Sequence, residues 1–448
     1  MANSFLNDLM QTLGDRGRSW IGRPRGALRT GDLADLGEAL LSRRGEASGV
    51  AIAASLLDGY AFAPLAERLA FLTALADRFG PDSERLARAV ADYQADPNPR
   101  ATGALQAAAE PRRQELIRRL NLAPGGTAAL VHMRAELLSH LGSRPDLAEV
   151  DRDFAHLLAS WFNRGFLVLR PIDWTTPANI LERIIRYEAV HAIEGWDDLR
   201  RRLEPPDRRC YAFFHPQLVD EPLIFVEVAL TSGIPHAIAP LLDSARAPQR
   251  AEEADTAVFY SISNTQKGLK GVSFGHFLIK QVAEELKREL PDLKTFVTLS
   301  PVPGFARWLR RERGLDHSRY FNAQAKEALS VLDQEGWHAD SAAASRVRDV
   351  ALAAAAAYFL RARSPKGRPI DPVARFHLGN GARLEHLNFL GDVSAKGLKA
   401  AHGLMVNYLY DLDEIEKNHE AYAEKGKVIA APRVRKLLRA EEAPREVA

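Results

Sequence analysis

The chain has 448 residues, 46% of them hydrophobic and 26% charged, which is the composition of an ordinary globular protein with room for two or three domains. Its formal net charge of +2 excludes a global attraction to nucleic acid or to a membrane surface, so any anion-binding site must be local. The single cysteine, Cys210, excludes an intramolecular disulfide and a cysteine metal cluster and suits a reducing compartment, and we expect a packed thiol rather than a nucleophile.

The first and last residues carry no recognisable targeting signal. The start, MANSFLNDLM, lacks a secretory hydrophobic region, and the end has no receptor-read address. No apolar run approaches the roughly 18 residues that a membrane helix needs. We therefore expect a cytoplasmic protein with no membrane partner and no nucleic-acid partner.

Residues 1–164 predict helices only. Apolar residues recur at helical spacing in five segments, namely Leu33–Leu41, Leu65–Phe79, Leu86–Tyr93, Leu130–Leu141 and Leu147–Phe162. Short connections, such as the Asp96–Pro99 linker, favour antiparallel pairs and hence a helix bundle. His132, His140 and His156 have no metal-ligand spacing. We expect a scaffold domain through which the chain forms a homo-oligomer.

The pattern changes at Gly165, from which point predicted strands appear among the helices. Phe166–Leu169, Arg208–Phe214 and Pro222–Thr231 are predicted strands, and Asn179–Tyr187 is a predicted helix. The last of these strands is a continuous apolar run with one charge, which is typical of the middle of a sheet. Residues 165–448 are therefore expected to form a mixed α/β domain, which makes the whole chain an α+β fold.

The second part is organised around the stretch from Ala257 to Pro303. Ala257–Ser263 is rich in β-forming residues, and Thr295–Leu299 is a short apolar strand that ends at Ser300. Between these strands, a loop with two glycines precedes an amphipathic helix that is predicted from Val272 onward. The apolar stripe of this helix consists of Phe274, Leu278, Val282, Leu286 and Leu290, widened by Phe277 and Ile279.

The loop between this strand and helix has the sequence Gln266-Lys267-Gly268-Leu269-Lys270-Gly271. A glycine loop that opens a helix after a strand presents free backbone N–H groups and the positive end of the helix dipole, and the two lysines add full charges. This pattern favours a diphosphate site, although it is neither the Rossmann fingerprint nor the P-loop. A tight turn with two solvated lysines explains the loop equally well, so the loop alone does not decide between the two interpretations.

The remaining segments predict more helix and one further strand. Arg307–Leu360 is predicted to be helical, and Ser364–Pro372 is predicted to be a loop. The tail contains a turn at Gly391–Ser394, a short helix and a Leu404–Leu409 strand. We find no internal repeat at solenoid periods.

Five segments together resemble the malonyl-CoA decarboxylase family. They are EPLIFVEVALT (221–231), FYSISNTQKGLKGVSFGHFLIKQV (259–282), TLSPVPGFARWL (298–309), ARFHLGNGA (374–382) and GDVSAKGL with GLMVNYLY (391–410). The similarity spans nearly the whole chain, and TLSPVPGF and NTQKGLKG are its most specific pieces. The resemblance implies a helical bundle at 1–164, followed at 165–448 by a catalytic, CoA-binding domain of the GNAT acyl-CoA transferase type.

The resemblance also implies roles for individual residues. It makes Ser300 in TLSPVPGF and His377 in RFHLGNGA catalytic, and it places Ser261 and Tyr410 near the same pocket. The residues implied to bind the CoA and malonyl groups are Gln266, Lys267, Gly268, Lys270, Gly271, Val272, Ser273, Phe274, Gly275 and His276. The general GNAT loop has the pattern Q/R-x-x-G-x-G/A, and Leu269 stands where its first glycine would fall. The assignment of individual loop amides to individual phosphates therefore stays open.

The implied activity is decarboxylation of malonyl-CoA to acetyl-CoA and CO2 through a thioester enolate. It needs no metal or other cofactor, because the thioester carbonyl is itself the electron sink. A histidine can supply a proton near neutral pH, and a serine hydroxyl can position the carboxylate or relay that proton. Two alternatives remain open. A GNAT-type N-acyltransferase would leave Ser300 and His377 without a role, and a non-catalytic CoA-binding sensor would explain only the loop.

Taken singly, none of the four candidate catalytic residues is diagnostic. A serine before proline, such as Ser300, is usually a turn residue. His377 lies between two apolar residues, where a buried structural histidine is the more common case. Tyr410 fits core packing, and Ser261 fits plain strand alternation. Their joint occurrence with the CoA-like loop is what makes them candidates.

Overall fold

The structure is a computed structural model that describes residues 30–42, 45–272 and 277–438. Within these ranges, no helix is long and apolar enough to cross a membrane. By its internal contacts the chain divides into two compact units. The first, here the helical unit, contains the described residues of Met1–Val168, Phe214–Leu223 and Thr265–Phe274. The second, here the mixed unit, contains Leu169–Phe213, Ile224–Asn264 and the described residues of Gly275–Ala448.

Eight α-helices make up most of the described part of the helical unit. They are α1 (Thr30–Leu41), α2 (Glu46–Phe62), α3 (Leu65–Asp77), α4 (Ser83–Ala95), α5 (Pro99–Ala109), α6 (Arg112–Leu120), α7 (Gly126–His140) and α8 (Ala148–Trp161). Five of them confirm the helices predicted from apolar periodicity. None of the five predicted ranges includes α2, whose small and apolar residues surround the helix, α5, which is alanine-rich and has no stripe, or the nine-residue α6.

Short polar caps and one buried ion pair order these helices. Asp82 accepts a hydrogen bond from Arg85 N (3.0 Å) at the start of α4, and Asn98 accepts one from Ala101 N (2.8 Å) at the start of α5. Such side chains satisfy backbone donors that the first turn leaves unpaired. The linker before Pro99 is therefore a short, capped connection between α4 and α5. Arg113 on α6 pairs with Asp153 on α8 at 2.5 Å, and both side chains are buried.

The sheet has eight strands among the described residues. They are β1 (Val168–Ile172), β2 (Arg208–Phe214), β3 (Pro222–Thr231), β4 (Thr256–Asn264), β5 (Thr295–Thr298), β6 (Ser300–Pro301), β7 (Arg383–Asn388) and β8 (Met405–Leu409). Their order is β1-β2-β3-β4-β5-β8-β6, and β7 also pairs with β8. β4 runs antiparallel to β3 and parallel to β5, whereas β8 is antiparallel to β5, β6 and β7. The sheet is therefore mixed.

The remaining helices belong to the mixed unit. They are α9 (Ala178–Tyr187), α10 (Trp196–Leu203), α11 (Ala239–Leu242), α12 (Leu278–Glu289), α13 (Phe305–Arg313), α14 (Ala323–Leu329), α15 (Ser341–Leu360), α16 (Pro372–Gly379), α17 (Ala395–Ala401), α18 (Ile415–Lys425) and α19 (Pro432–Arg435). α12 lies between β4 and β5 in the chain and buries Leu278, Val282 and Leu286, which confirms the predicted stripe. The helical region followed by a mixed sheet confirms the predicted α+β fold.

The parallel strands β4 and β5 separate at the point where the predicted serines lie. The ladder between them ends at Phe259, whose carbonyl accepts a last hydrogen bond from Leu299 N (3.1 Å). Beyond this point, Ser300 pairs with Val406 in β8, whereas Ser261 pairs with β3. The two serines therefore lie on strands with different neighbours.

Three segments differ from the sequence-based expectation. The first strand begins at Val168, because Phe166 belongs to a short 3-10 turn. α12 begins at Leu278 and not at Val272. The helical region predicted at Arg307–Leu360 consists of three helices, α13 to α15, separated by turns.

The cysteine prediction is confirmed. Cys210 on β2 is 2% exposed and carries a free thiol. Burial, with the nearby carboxylates of Glu227 and Glu188, raises its pKa well above the ordinary value. Since the thiolate is the nucleophilic form, this side chain is a packing group.

Candidate active site

Ser300 is the first residue of β6 and is 5% exposed. Its Oγ donates a hydrogen bond to Thr298 Oγ1 (2.8 Å) and lies 3.2 Å from His377 Nε2. Thr298 precedes it by two residues, and side chains at this spacing share one face of an extended chain. The structure therefore brings together the serine and the histidine that the sequence singles out.

The helix α16 and an aromatic neighbour fix the orientation of His377. Asp371 starts α16 by accepting a hydrogen bond from Ala374 N (2.8 Å), and Asp371 in turn accepts one from Tyr358 Oη (3.1 Å). His377 lies in the last turn of α16 and is 3% exposed. Its ring stacks on that of Tyr408, with centroids 4.5 Å apart and planes at 25°. Helix α16 and the ring of Tyr408 therefore both fix the orientation of the imidazole edge that faces Ser300.

Tyr410 completes a directed chain of hydrogen bonds. Its Oη lies 2.8 Å from His377 Nδ1. A serine hydroxyl has one proton, and Ser300 donates it to Thr298, so Ser300 Oγ accepts from His377 Nε2–H. In a neutral ring this leaves Nδ1 without a proton, and Nδ1 accepts from Tyr410. The order of donation is therefore Tyr410 to His377 to Ser300 to Thr298.

Burial keeps this chain uncharged. It lowers the pKa of His377 to about 3, and it raises the pKa of Tyr410 well above its ordinary value. At neutral pH, both side chains are therefore in their neutral forms. A neutral imidazole is a poor acid, and a negative charge placed beside it favours the protonated form.

Ser261 lies in a buried cluster with Glu188 and Ser263. Its Oγ donates to the carboxylate of Glu188, with distances of 2.7 and 2.8 Å to the two oxygens. The same carboxylate accepts hydrogen bonds from Val190 N (2.7 Å), His191 N (2.8 Å) and Ser263 Oγ (3.2 Å). The other three candidates contact one another, whereas Ser261 directs its proton to Glu188. Its catalytic role stays a prediction.

The predicted diphosphate loop belongs to the helical unit. Lys267–Leu269 forms a 3-10 turn, and Gln266 Nε2 donates to Glu221 Oε2 (3.1 Å). Arg134 on α7 is 2% exposed and donates from Nη1 to the carbonyl of Gly268 (2.7 Å). The helices therefore hold the loop directly, a role that their apolar stripes do not predict.

Glycine is required at the two glycine positions of the loop for different structural reasons. A Cβ on Gly268 would lie 1.8 Å from the carbonyl oxygen of Val131, so glycine is required there for close packing against α7. Gly271 has a φ of +79° and open space around its missing Cβ, so glycine is required there for the backbone conformation. Lys267 and Lys270 are exposed beside it. The exposed edge of the loop is therefore the part available to an anion.

If the loop holds the CoA diphosphate, as the family resemblance implies, we expect the substitution Gly271→Val to raise the KM for malonyl-CoA about tenfold, because a β-branched residue at positive φ strains the backbone by roughly 1–3 kcal/mol. Gly233→Val is the matched control, since Gly233 has a φ of +86° and equally open surroundings in a different loop. Steady-state kinetics on both folded variants measure the effect. An equal rise in KM for the two variants, or no rise for Gly271→Val, would place the CoA anchor elsewhere.

Four of the predicted binding residues, Ser273, Phe274, Gly275 and His276, lie outside the described residues. Val272, the last residue before them, is buried. Phe277, the first residue after them, has a φ of +71°, and its N–H donates to Asn380 Oδ1 (3.0 Å). A left-handed residue fixed by a distant side chain cannot be read from apolar periodicity, which is why the sequence places the start of α12 too early.

Three residues that contact the predicted catalytic residues escaped the sequence analysis. Thr298 and Tyr408 each precede a predicted site residue by two positions, so the strand period alone would have pointed to them. Glu188 gives no such signal, because it follows a helix and lies 73 residues from its partner Ser261.

Two family profiles match this chain. The Malonyl-CoA decarboxylase C-terminal domain matches residues 165–448, and the Malonyl-CoA decarboxylase N-terminal domain matches residues 79–162. The mitochondrial malonyl-CoA decarboxylase of Anser anser anser is 35% identical over 387 residues, which is 79% of this chain and 76% of the relative.

Two crystal structures of malonyl-CoA decarboxylases are also similar. The protein from Rhodopseudomonas palustris is 65% identical with a TM-score of 0.89, and the match covers 91% of this chain and 99% of that one. The protein from Agrobacterium vitis is 59% identical with a TM-score of 0.86, and the match covers 91% of this chain and 100% of that one. The chain therefore belongs to the malonyl-CoA decarboxylase family.

Proposed function

We propose that His377 and Ser300 deliver the proton in the decarboxylation of malonyl-CoA to acetyl-CoA and CO2, the reaction of the family to which the chain belongs. The observation that carries this proposal is the buried chain of hydrogen bonds from Tyr410 through His377 to Ser300. It supplies a proton donor and a hydroxyl at adjacent positions, at the point where β4 and β5 separate.

The reaction makes a definite demand on these groups. The bond between the α carbon and the carboxylate breaks, its electron pair passes into a thioester enolate, and CO2 leaves. The α carbon must then receive one proton. The thioester carbonyl takes up the electron pair, so the protein has to orient the carboxylate and to supply the proton.

The negative charge of the substrate favours the protonated form of His377. In the free protein burial holds the pKa of His377 near 3, so the ring is neutral. A malonyl carboxylate beside Ser300 places a negative charge near Nε2, which favours uptake of a proton from solvent. When CO2 leaves, the negative charge moves from the carboxylate onto the thioester enolate, and it is neutralised when the α carbon receives the proton. After this transfer the substrate charge is gone and His377 is again neutral, as burial favours.

The proton passes through Ser300. His377 Nε2 is directed at Ser300 Oγ, and the hydroxyl of Ser300 rotates from Thr298 toward the substrate. Ser300 then gives its proton to the α carbon while it takes one from Nε2. Tyr410 Oη accepts from Nδ1–H when the ring is doubly protonated, since a phenol oxygen can donate or accept.

The loop at Gln266–Val272 is proposed to hold the CoA diphosphate. Its exposed edge carries Lys267, Lys270 and the open backbone at Gly271. Backbone N–H groups and lysines are the usual partners of phosphate oxygens. Ser273, Phe274, Gly275 and His276 extend this proposal to the residues that follow.

A single assay tests the reaction class. Purified full-length protein is supplied with malonyl-CoA and no amine, and CO2 and acetyl-CoA are quantified. Decarboxylation yields one of each for every malonyl-CoA consumed. Release of free CoA that depends on an added amine would instead indicate an N-acyltransferase, and binding without turnover would indicate a sensor.

The division into a scaffold domain at 1–164 and a catalytic domain at 165–448, with self-association through the first, is also proposed. Phe62 at the end of α2 is 89% exposed, and Leu65 at the start of α3 is 55% exposed, so the helical unit presents apolar side chains to solvent. Light scattering gives the molar mass of the full-length protein. A monomer would contradict the proposal, and a mass that falls on the substitution Phe62→Glu would support it.

A further inference from the structure

A cavity in the mixed unit is not lined by any residue that the proposed reaction uses. Its volume is about 490 Å³, within the range of small-molecule sites. Its walls come from β7, α15, α19 and the segment after β3, and they carry four basic side chains: His236, Arg348, His386 and Arg433. Leu352 and Val434 are among its apolar lining residues.

Strand alternation places His386 and Asn388, two of the residues that line this cavity, on the face of the sheet opposite to His377. Tyr408 on β8 stacks on His377, so the side chain of its neighbour Asn407 points to the other face. His386 on β7 is the register partner of Asn407, and Asn388 follows two residues later on the same face. The cavity is therefore distinct from the chain of Tyr410, His377 and Ser300.

A buried amide fixes the two histidines. The Oδ1 atom of Asn388 lies 2.9 Å from His236 Nδ1 and 2.6 Å from His386 Nδ1, and the two rings are 4.6 Å apart. Asn388 is 2% exposed, and its Nδ2 donates to Asn407 Oδ1 (2.7 Å). Because an amide oxygen only accepts, both rings present Nδ1–H to it. The Nε2 edges are thereby left for a ligand.

The arginines make the cavity positive. Arg433 lies 3.3 Å from Glu385, but Arg383 also pairs with that carboxylate, at 2.8 Å. Arg348 is exposed on α15 and forms no ion pair with another described residue. The lining therefore contains two arginines and no acidic side chain, and the one carboxylate near Arg433, that of Glu385, is shared with Arg383. Arginine at such a site suits the planar, multidentate recognition of carboxylate or phosphate oxygens.

We propose that this cavity binds a small organic anion, with its carboxylate or phosphate head between the arginines and histidines and its apolar body against Leu352 and Val434. The proposal is independent of the reaction described above. Both head groups share the chemistry of a compact oxyanion, and the apolar lining requires a body of several carbons.

Calorimetric titration of the full-length protein tests the proposal, with hexanoate and hexyl phosphate as probes and hexan-1-ol as the neutral control. At least one of the two anions should bind at a single site, and the tighter of the two identifies the head group. Arg348→Ala and Arg433→Ala should each weaken binding about tenfold, which is the lower end for a charged hydrogen bond. Arg346→Ala and Arg435→Ala are matched controls, because each changes an exposed arginine two residues away that does not line the cavity.

A titration in the presence of saturating CoA distinguishes anion binding in this cavity from binding at the loop in the helical unit. Anion binding should persist when CoA is present, and the decarboxylation rate of Arg348→Ala without probe should equal that of the parent. No binding of either anion, equal binding of hexan-1-ol, the same loss in Arg346→Ala, or displacement by CoA would each overturn the proposal. Since Arg348 and Arg433 are exposed, thermal unfolding checks that the variants fold, and Arg348→Gln replaces Arg348→Ala if it does not.

Discussion

Replacing His377 with asparagine is expected to slow the formation of acetyl-CoA from malonyl-CoA by about 10²–10⁴-fold, the usual contribution of a general acid. Asparagine can still donate a hydrogen bond to Ser300, but it cannot carry a proton to the substrate. The affinity for CoA should stay close to that of the parent, because the proposed diphosphate loop is untouched. His132→Asn, a change at an exposed histidine of α7, is the control and should leave the rate unchanged. A His377→Asn protein that works at nearly the parental rate would exclude histidine as the donor.

The protonation state of His377 is also tested by comparing the pH dependence of the free energy of unfolding in the parent and in His377→Asn. A histidine in an unfolded chain has a pKa near 6.5, whereas burial lowers the pKa of His377 to about 3. Between these pH values the unfolded state binds one proton more, so the folded parent loses stability as the pH falls below 6.5. At pH 5, His377 alone lowers the free energy of unfolding of the parent by about 2 kcal/mol relative to neutral pH. In urea unfolding at pH 7.5 and pH 5, His377→Asn should therefore lose less free energy of unfolding than the parent.

Changing Ser300 to alanine is the second large effect. If the proton passes through Ser300 Oγ, the substitution should lower acetyl-CoA formation by about 10²–10⁴-fold, as for His377→Asn. If the histidine protonates the carbon directly, the serine only positions the carboxylate, and the loss should be clearly smaller than that of His377→Asn. Rates measured at saturating malonyl-CoA distinguish the two cases. A parental rate in the folded Ser300→Ala protein would remove this residue from the mechanism.

The sequence predicts best those strands that are almost wholly buried and therefore almost wholly apolar. Arg208–Phe214 and Pro222–Thr231 are found at their predicted bounds, because nearly every residue of both strands is buried and turns flank them. By contrast, β7 escapes prediction, since its sequence RLEHLN mixes charged and apolar residues. Its buried Glu385 is neutralised by Arg383 and Arg433, a compensation that depends on the tertiary fold.

The candidate site divides in the same way. The residues in TLSPVPGF and RFHLGNGA stand out as motifs, and two of them, Ser300 and His377, lie within hydrogen-bond distance. What the sequence does not contain is the direction of the chain, which depends on Thr298 as the acceptor of the serine proton. It also does not contain the partner of Ser261, whose hydroxyl donates to the carboxylate of Glu188. Contacts between residues far apart in the chain decide both points.

We propose that Ser300 and His377 act as one unit in delivering the proton. The rate of acetyl-CoA formation by the double variant, Ser300→Ala with His377→Asn, is measured beside the rates of the two single variants. Groups that act as a unit are not additive, so the double variant should be about as slow as the slower single variant. A double variant whose loss equals the product of the two single losses would contradict the account, because it would mean that the serine and the histidine act independently.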